Sequence, residues 1–368
     1  MFSRADANQL RESLESISFC SNTVPSDRET GDLVQNYRAH YGLDFSSLRS
    51  PKESPKESPT QSTIQHAIGT IESGQFTLVC HHFSISHASI SNSDSSQAIE
   101  PESENPGTIF LLHGYLDHSG IYGHLIRHCL QLGYGVVIFD LPGHGLSSGE
   151  TASIDSFFRY EEAFRDCMIA AQSQNLAKPW SVIAQSTGAA VLIDSLLNPH
   201  HVFIGAGSSN EASSVQDVGR LLHFKHMIIM APLVRPIHWA LNRISFAISK
   251  LFIKSLSRGF STNSHDKEFL KFLRYEDALQ SKRLPVDWIK AMAEYLHRFA
   301  QASRCEESLH IIQGTGDSTV DWKYNMSKLR SKFPNSIVYF VDKARHHLVN
   351  ESEEFREEVF SHIGKILD

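Results

Sequence analysis

Ser186 lies two positions after Ala184 and two before Gly188. Residues 182–184 are apolar, Gln185 and Ser186 are polar, and Val191, Leu192, Leu196 and Leu197 follow at helical spacing. The pattern reads as strand, abrupt turn, helix. A nucleophile elbow has this layout. Its serine is held in a strained backbone conformation, and small flanking residues let strand and helix pass closely. The usual pattern is G-x-S-x-G, and Ala184 replaces its first glycine. The plainer alternative is a strand–helix junction with a capping serine. A serine hydroxyl attacks carbon only when a base takes its proton. Histidine suits that role because its pKa lies near neutrality, and a carboxylate on its far nitrogen fixes the tautomer.

Both partners should stand just past the carboxyl ends of strands, where ligands sit in open α/β sheets. Residues 309–313 form an apolar strand run, followed by Gly314, Thr315, Gly316, Asp317, Ser318, Thr319 and Val320. Residues 336–341 form another, followed by Asp342, Lys343, Ala344, Arg345, His346 and His347. Ser186, Asp317 and His346 then give the order serine, acid, histidine expected of α/β hydrolases. Asp317 could also be only a turn residue in a glycine-rich loop. Asp321 competes with it but is placed to begin the next helix, where an acid is favourable. His347 competes with His346, and spacing alone does not choose. Two main-chain N–H groups should face the developing oxyanion: that of Thr187, after the nucleophile, and that of Tyr115, in the loop His113, Gly114, Tyr115, Leu116. His113 is read as a structural hydrogen-bonding residue. His81 and His82 are neighbours on a strand and point to opposite faces, so they are not read as metal ligands. No metal and no cofactor are expected.

The elements that must carry these residues alternate. Strands are expected over 76–83, 108–112, 134–139, 182–184, 227–230, 309–313 and 336–341. Helices are expected over 121–132, 157–171, 326–332 and 355–367. Near-continuous apolar strands separated by helices imply a parallel sheet covered on both faces. Short helices are expected near Leu10, Leu14 and Ile17 and over 33–41. The repeated Pro-Lys-Glu-Ser of 51–59 reads as a solvated linker. Residues 89–106 and 205–216 read as polar loops. The chain has 368 residues, 41% hydrophobic and 20% charged, which is ordinary globular composition. Its net charge of −7 lacks the basic excess of a nucleic-acid binder. Five scattered cysteines without a C-x-x-C pair suit reduced thiols in a cytosolic protein. The N-terminus has no signal-peptide core, and no apolar run would span a bilayer.

Four blocks carry a resemblance. His113, Gly114, Tyr115, Leu116, Asp117, His118, Ser119, Gly120, Ile121 and Tyr122 resemble the H-G-x-x-E-H-S-x-R-Y block of monoacylglycerol lipases and bacterial lysophospholipases. Residues 140–149, DLPGHGLSSG, resemble their D-x-x-G-H-G-x-S-x-G block. Residues 344–351, ARHHLVNE, are similar to the bacterial A-R-H-E-x-x-N-E ending, whose histidine aligns with His346. Residues 314–320 match the G-x-x-D-x-x-V acid loop. Two departures stand out: Gln185 replaces the elbow's usual histidine, and His347 replaces a glutamate. Asp140 and His144 are read as structural.

The resemblance spans about residues 75–368. It implies an α/β-hydrolase fold with a mostly parallel central sheet, and a serine hydrolase of lipid carboxylic esters. Lysophospholipid or monoacylglycerol is the expected substrate. A broad carboxylesterase and a silent lipid-binding protein on the same fold are the alternatives. The expected organisation is an N-terminal extension over 1–70, core over 71–231, a helical lid over 232–305, and core again over 306–368. Within the lid, residues 235–260 carry Arg235, Arg243, Lys250, Lys254 and Arg258 and no acid, and positions 243, 250, 254 and 258 lie on one stripe if the segment is helical. That fits peripheral contact with a membrane surface. The expected place is the cytoplasm, including the inner face of a membrane.

Overall fold

The computed structural model describes residues 2–19, 28–48, 62–87, 105–198, 223–239, 255–259 and 262–368. The strands are β1 (Ser62–Ser73), β2 (Phe76–His87), β3 (Thr108–Leu112), β4 (Gly135–Phe139), β5 (Trp180–Gln185), β6 (Met227–Met230), β7 (Ser255–Ser257), β8 (Arg283–Pro285), β9 (His310–Gly314) and β10 (Ile337–Val341). Eight of them form one sheet in the order β1-β2-β4-β3-β5-β6-β9-β10. β1, β2 and β4 pair antiparallel, and from β4 to β10 every pair is parallel. This is the mostly parallel α/β-hydrolase sheet that the sequence suggests.

The central strands are apolar throughout because helices cover both faces. Phe110, Leu112, Val137, Phe139, Val182 and Ala184 point to one side. Helices α4 (Phe157–Ser173), α5 (Thr187–Leu197), α7 (Val286–Gln301) and α8 (Trp322–Lys332) bury residues there. Ile109, Leu111, Val136, Ile138 and Ile183 point to the other. That side is covered by α1 (Arg4–Leu14), α2 (Arg28–Tyr41), α3 (Gly123–Gln131) and α9 (Glu353–Leu367).

The sheet begins at Ser62, within the segment read as an N-terminal extension. Residues 17–19 run against β1: Phe19 N–H donates to Thr70 O (3.0 Å) and Thr70 N–H to Ile17 O (2.7 Å). A Cβ on Gly69 would stand 2.7 Å from Ser18 O, so this approach needs glycine. The contact shields part of an edge strand.

Residues 232–305 are not a purely helical insertion. They hold helices α6 (Lys267–Tyr275) and α7, and also a small two-stranded antiparallel sheet of β7 and β8. The basic stripe over 235–260 is therefore not one continuous helix. Ser255, Leu256 and Ser257 have the period-two pattern of a strand, and Arg258 follows that strand outside any helix. Positions 243, 250 and 254 lie outside the described residues. Among the described residues no helix is long and apolar enough to cross a membrane.

Candidate active site

The turn at Ser186 is strained. Its φ of 52° and ψ of −108° lie where non-glycine residues are rare. β6 and the loop after it fix the turn: Ser186 N–H donates to Met230 O (2.9 Å), and its carbonyl accepts from Leu233 N–H (3.2 Å). A Cβ on Gly188 would lie 2.4 Å from Leu112 O, so glycine is required where α5 crosses β3. Ala184 sits in β5, fully buried opposite Leu112.

The three loops predicted from strand ends converge. Ser186 Oγ is 2.9 Å from His346 Nε2, and His346 Nδ1 is 2.8 Å from Asp317 Oδ2. Asp317 Oδ1 accepts the N–H groups of Thr319 (2.8 Å) and Val320 (3.2 Å), and Oδ2 also accepts from Gln313 Nε2 (3.2 Å). Burial alone would raise the Asp317 pKa, but the charge and hydrogen bond of His346, with those two N–H groups, hold it below the usual carboxylate value. Burial likewise opposes the His346 imidazolium, yet the Asp317 charge and hydrogen bond, then the Asp117 charge, hold its pKa above the ordinary value. This geometry can carry a proton from the hydroxyl to the imidazole.

The competing residues lie elsewhere. Asp321 caps α8 through Tyr324 N–H (3.3 Å) and pairs with Arg235. His347 turns away from Ser186: Nε2 meets Asp117 Oδ1 at 3.1 Å, and Nδ1 faces Gln185 Nε2 at 3.5 Å.

Thr187 is the first residue of α5, so its N–H has no acceptor within the helix. Tyr115 N–H has no protein acceptor among the described residues. Gly114 O accepts from Asp117 N–H (3.2 Å) and lies 2.7 Å from His113 Nδ1, while His113 Nε2 accepts from Leu141 N–H (2.9 Å). The Tyr115 ring stacks on Trp288 (3.7 Å between centroids, 16° between planes), and its hydroxyl donates to Ala152 O (2.7 Å). Asp140 shapes the neighbouring turns: Oδ1 accepts Ser119 N–H (2.6 Å), and Oδ2 accepts Leu146 N–H (2.7 Å). His118 next to the loop reaches Asp277 Oδ2 at 3.0 Å, and Tyr41 OH donates to Asp277 Oδ1 at 2.8 Å.

Ser186 and His346 open into a cavity of about 870 Å³. Much of its wall comes from residues 232–305, including Leu233, Trp239, Leu256, Leu284, Trp288 and Met292. Asp117 is the one carboxylate in its lining among the described residues. Its two oxygens are taken by His347 and by Tyr122 OH (3.0 Å). Reasoning from the sequence did not single out Asp117, Tyr122, Trp288 or Gln313. Two of these, Asp117 and Tyr122, stand inside the first resembled block, which was the available signal. No cluster of three or more potential metal ligands occurs among the described residues.

Comparison with known proteins agrees with this architecture. A monoglyceride lipase homolog of monkeypox virus is 22% identical over 258 residues, covering 69% of this chain and 87% of the viral one. The structure of a soluble variant of the Saccharomyces cerevisiae monoglyceride lipase, in complex with a substrate analog, superposes with a TM-score of 0.62 at 15% identity, covering 86% of this chain and 98% of that one. That of the Paleococcus ferrophilus monoacylglycerol lipase gives 0.57 at 19%, covering 72% and 94%. The profile of the Hydrolase_4 family, described as serine aminopeptidase, S33, matches residues 103–353. With that match running from just before β3 to the start of α9, the chain belongs to the Hydrolase_4 family of α/β-hydrolases.

Proposed function

We propose that the chain is a serine hydrolase of carboxylic esters, acting on a lipid with one acyl chain and a small polar head, of the monoacylglycerol type. The observation that carries this reading is the series Ser186–His346–Asp317 opening into a large, mostly apolar cavity. His346 Nε2 takes the Ser186 proton as Oγ attacks the ester carbonyl. The N–H groups of Tyr115 and Thr187 receive the oxyanion, and each such donor is worth on the order of 10²–10³ in rate. His346 then protonates the departing alcohol, and water attacks the acyl-enzyme by the same route. An acyl chain in the cavity contributes ~0.8 kcal/mol for each buried CH2, which favours long chains over short ones. An aminopeptidase reading, which the family description invites, needs a carboxylate to hold the substrate's ammonium. Asp117 is already engaged on both oxygens.

One observation favours a second reading, a lysophospholipid: Arg258, whose Nη1 is held by Gln280 Oε1 and by Ser281 O (3.2 Å), lines the same cavity and brings a positive charge to its wall. The test sets wild type and Ser186→Ala against long-chain monoacylglycerol, lysophosphatidylcholine and a short p-nitrophenyl ester, alongside fluorophosphonate labelling. Wild type labels, and long-chain monoacylglycerol gives the highest kcat/KM. Equal labelling of both proteins rules out Ser186 as nucleophile, and a preference for lysophosphatidylcholine transfers the assignment to the second reading.

His346 must be neutral to act as base. Because its pKa lies above the ordinary 6.5, kcat/KM falls with decreasing pH along a limb whose midpoint is also above 6.5. A midpoint well below that value contradicts the assignment.

A further inference from the structure

Three positions of interest in the resembled motifs meet in space. Gln185 and His347 replace the residues usual there, and Asp117 holds the acidic position of the H-G-x-x-E-H-S-x-R-Y block. Gln185 Nε2 lies 3.5 Å from His347 Nδ1, and His347 Nε2 lies 3.1 Å from Asp117 Oδ1. Tyr122 OH donates to Asp117 Oδ2 at 3.0 Å and accepts from Gly114 N–H at 3.0 Å. Gln185 Oε1 accepts from Val349 N–H at 3.4 Å, which leaves the amide nitrogen facing His347. One proton arrangement satisfies every link: Gln185 donates to Nδ1, Nε2–H donates to Asp117, Tyr122 donates to Asp117, and Gly114 donates to Tyr122. All four side chains are buried or nearly so.

The two ends of this series are informative. Gln185 immediately precedes Ser186, and Gly114 immediately precedes Tyr115. We infer that Gln185, His347, Asp117 and Tyr122 form a positioning relay that sets the oxyanion loop against the elbow. The inference rests on the hydrolase reading. Glycine at 114 leaves the neighbouring peptide free to rotate, and a rotated 114–115 peptide would present a carbonyl where an N–H is needed. The relay fixes Gly114 through its N–H. His113 and Asp117 N–H fix its carbonyl, and with it the 114–115 peptide whose opposite side carries Tyr115 N–H, while the relay sets the Gly114 from which that peptide starts. Gly114 also packs directly on the relay: a Cβ there would be 2.7 Å from Asp117 Oδ2. No relay residue touches the reacting atoms. Their positioning effect passes through main-chain geometry, beside the direct pull of the Asp117 charge on His346.

The test uses Tyr122→Phe, which deletes only a hydroxyl, together with His347→Leu and their double variant. Each single change lowers kcat on long-chain monoacylglycerol about 10- to 100-fold and leaves KM within about 2-fold, as loss of an interaction made only in the transition state should. Affinity for a trifluoromethyl ketone, which forms an oxyanion on the enzyme, falls by the same factor. The double variant loses no more than the worse single one, because both break one chain. His347→Gln, whose amide can still donate to Asp117, stays within about 3-fold of wild type. The relay is wrong if Tyr122→Phe melts lower yet keeps its kcat and its ketone affinity, or if the losses multiply. Should His347→Leu fail to fold, Tyr122→Phe and His347→Gln decide alone. A wild type that neither takes up fluorophosphonate nor cleaves ester removes the hydrolase reading and the relay with it. An active wild type with indifferent variants removes the relay only.

Discussion

Asp317→Asn lowers kcat for ester hydrolysis by about 10⁴, the loss that a serine protease triad shows for the same change, while leaving the fold in place. Asparagine keeps an oxygen for the N–H groups of Thr319 and Val320, which hold the loop through Oδ1. It places an NH2 group where Oδ2 faces His346 Nδ1 and Gln313 Nε2. That NH2 meets the Nδ1–H donor to donor, so the imidazole turns to the tautomer whose Nδ1 accepts and whose Nε2 carries hydrogen. That nitrogen faces Ser186 Oγ and can no longer accept its proton. Melting temperature changes by only a few degrees. A loss below 10-fold at an unchanged melting temperature removes Asp317 from the acid's role.

The largest expected effect on stability is at Arg298. Arg298 on α7 pairs with Asp194 on α5 and lies 3.7 Å from Glu161 on α4. Both acids are about 1% exposed. Arg298→Met keeps the stem that packs between the helices and removes the charge. Breaking a buried pair from one side costs about 3–5 kcal/mol, or roughly 4–6 °C of Tm for a chain of 368 residues. The sign of its pH dependence follows from Glu161. Burial, then the Asp194 charge and hydrogen bond, raise the Glu161 pKa well above the ordinary value, against the pull of Arg298. An acid raised on folding favours the native state least where the unfolded chain has released that proton. Its contribution is intact below the ordinary carboxylate range and lost as pH rises toward the folded value. Without Arg298 that loss is larger, so the variant's deficit should widen from pH 5 to pH 8. Thermal melts at both values check it, and a deficit that narrows on going alkaline contradicts the argument.

The parts of the fold that were legible in sequence are those with strong local signals. β3, apolar after Thr108, and β6, apolar throughout, have limits that match the residues read from sequence. β1 was missed because its apolar residues, Ile64, Ile68 and Ile71, are separated by polar ones and by Gly69. It is held by pairing with β2 and by residues 17–19, contacts that no local window contains. The small sheet of β7 and β8 was missed for a similar reason: each strand has three residues, and paired residues come together from 26 or more positions apart. Ser186, Asp317 and His346 were legible because each follows a strand end, and the sheet brings strand ends together. The relay was not. His347 and Asp117 are 230 residues apart, and nothing local says that a histidine will turn from the serine beside it toward an aspartate in another loop.

Tyr41, His118 and Asp277 come from α2, from the loop after β3 and from the turn after α6, and they meet at one buried point. Burial disfavours charge on both His118 and Asp277, yet each is drawn toward its ionised form by the other. The consequence is genetic. A change at residue 41, remote from every reacting atom, lands on the same joint as a change at 118 or 277. The amino-terminal helices and the chamber wall are therefore not free to drift apart through evolution, and substitutions in one should be answered by substitutions in the other.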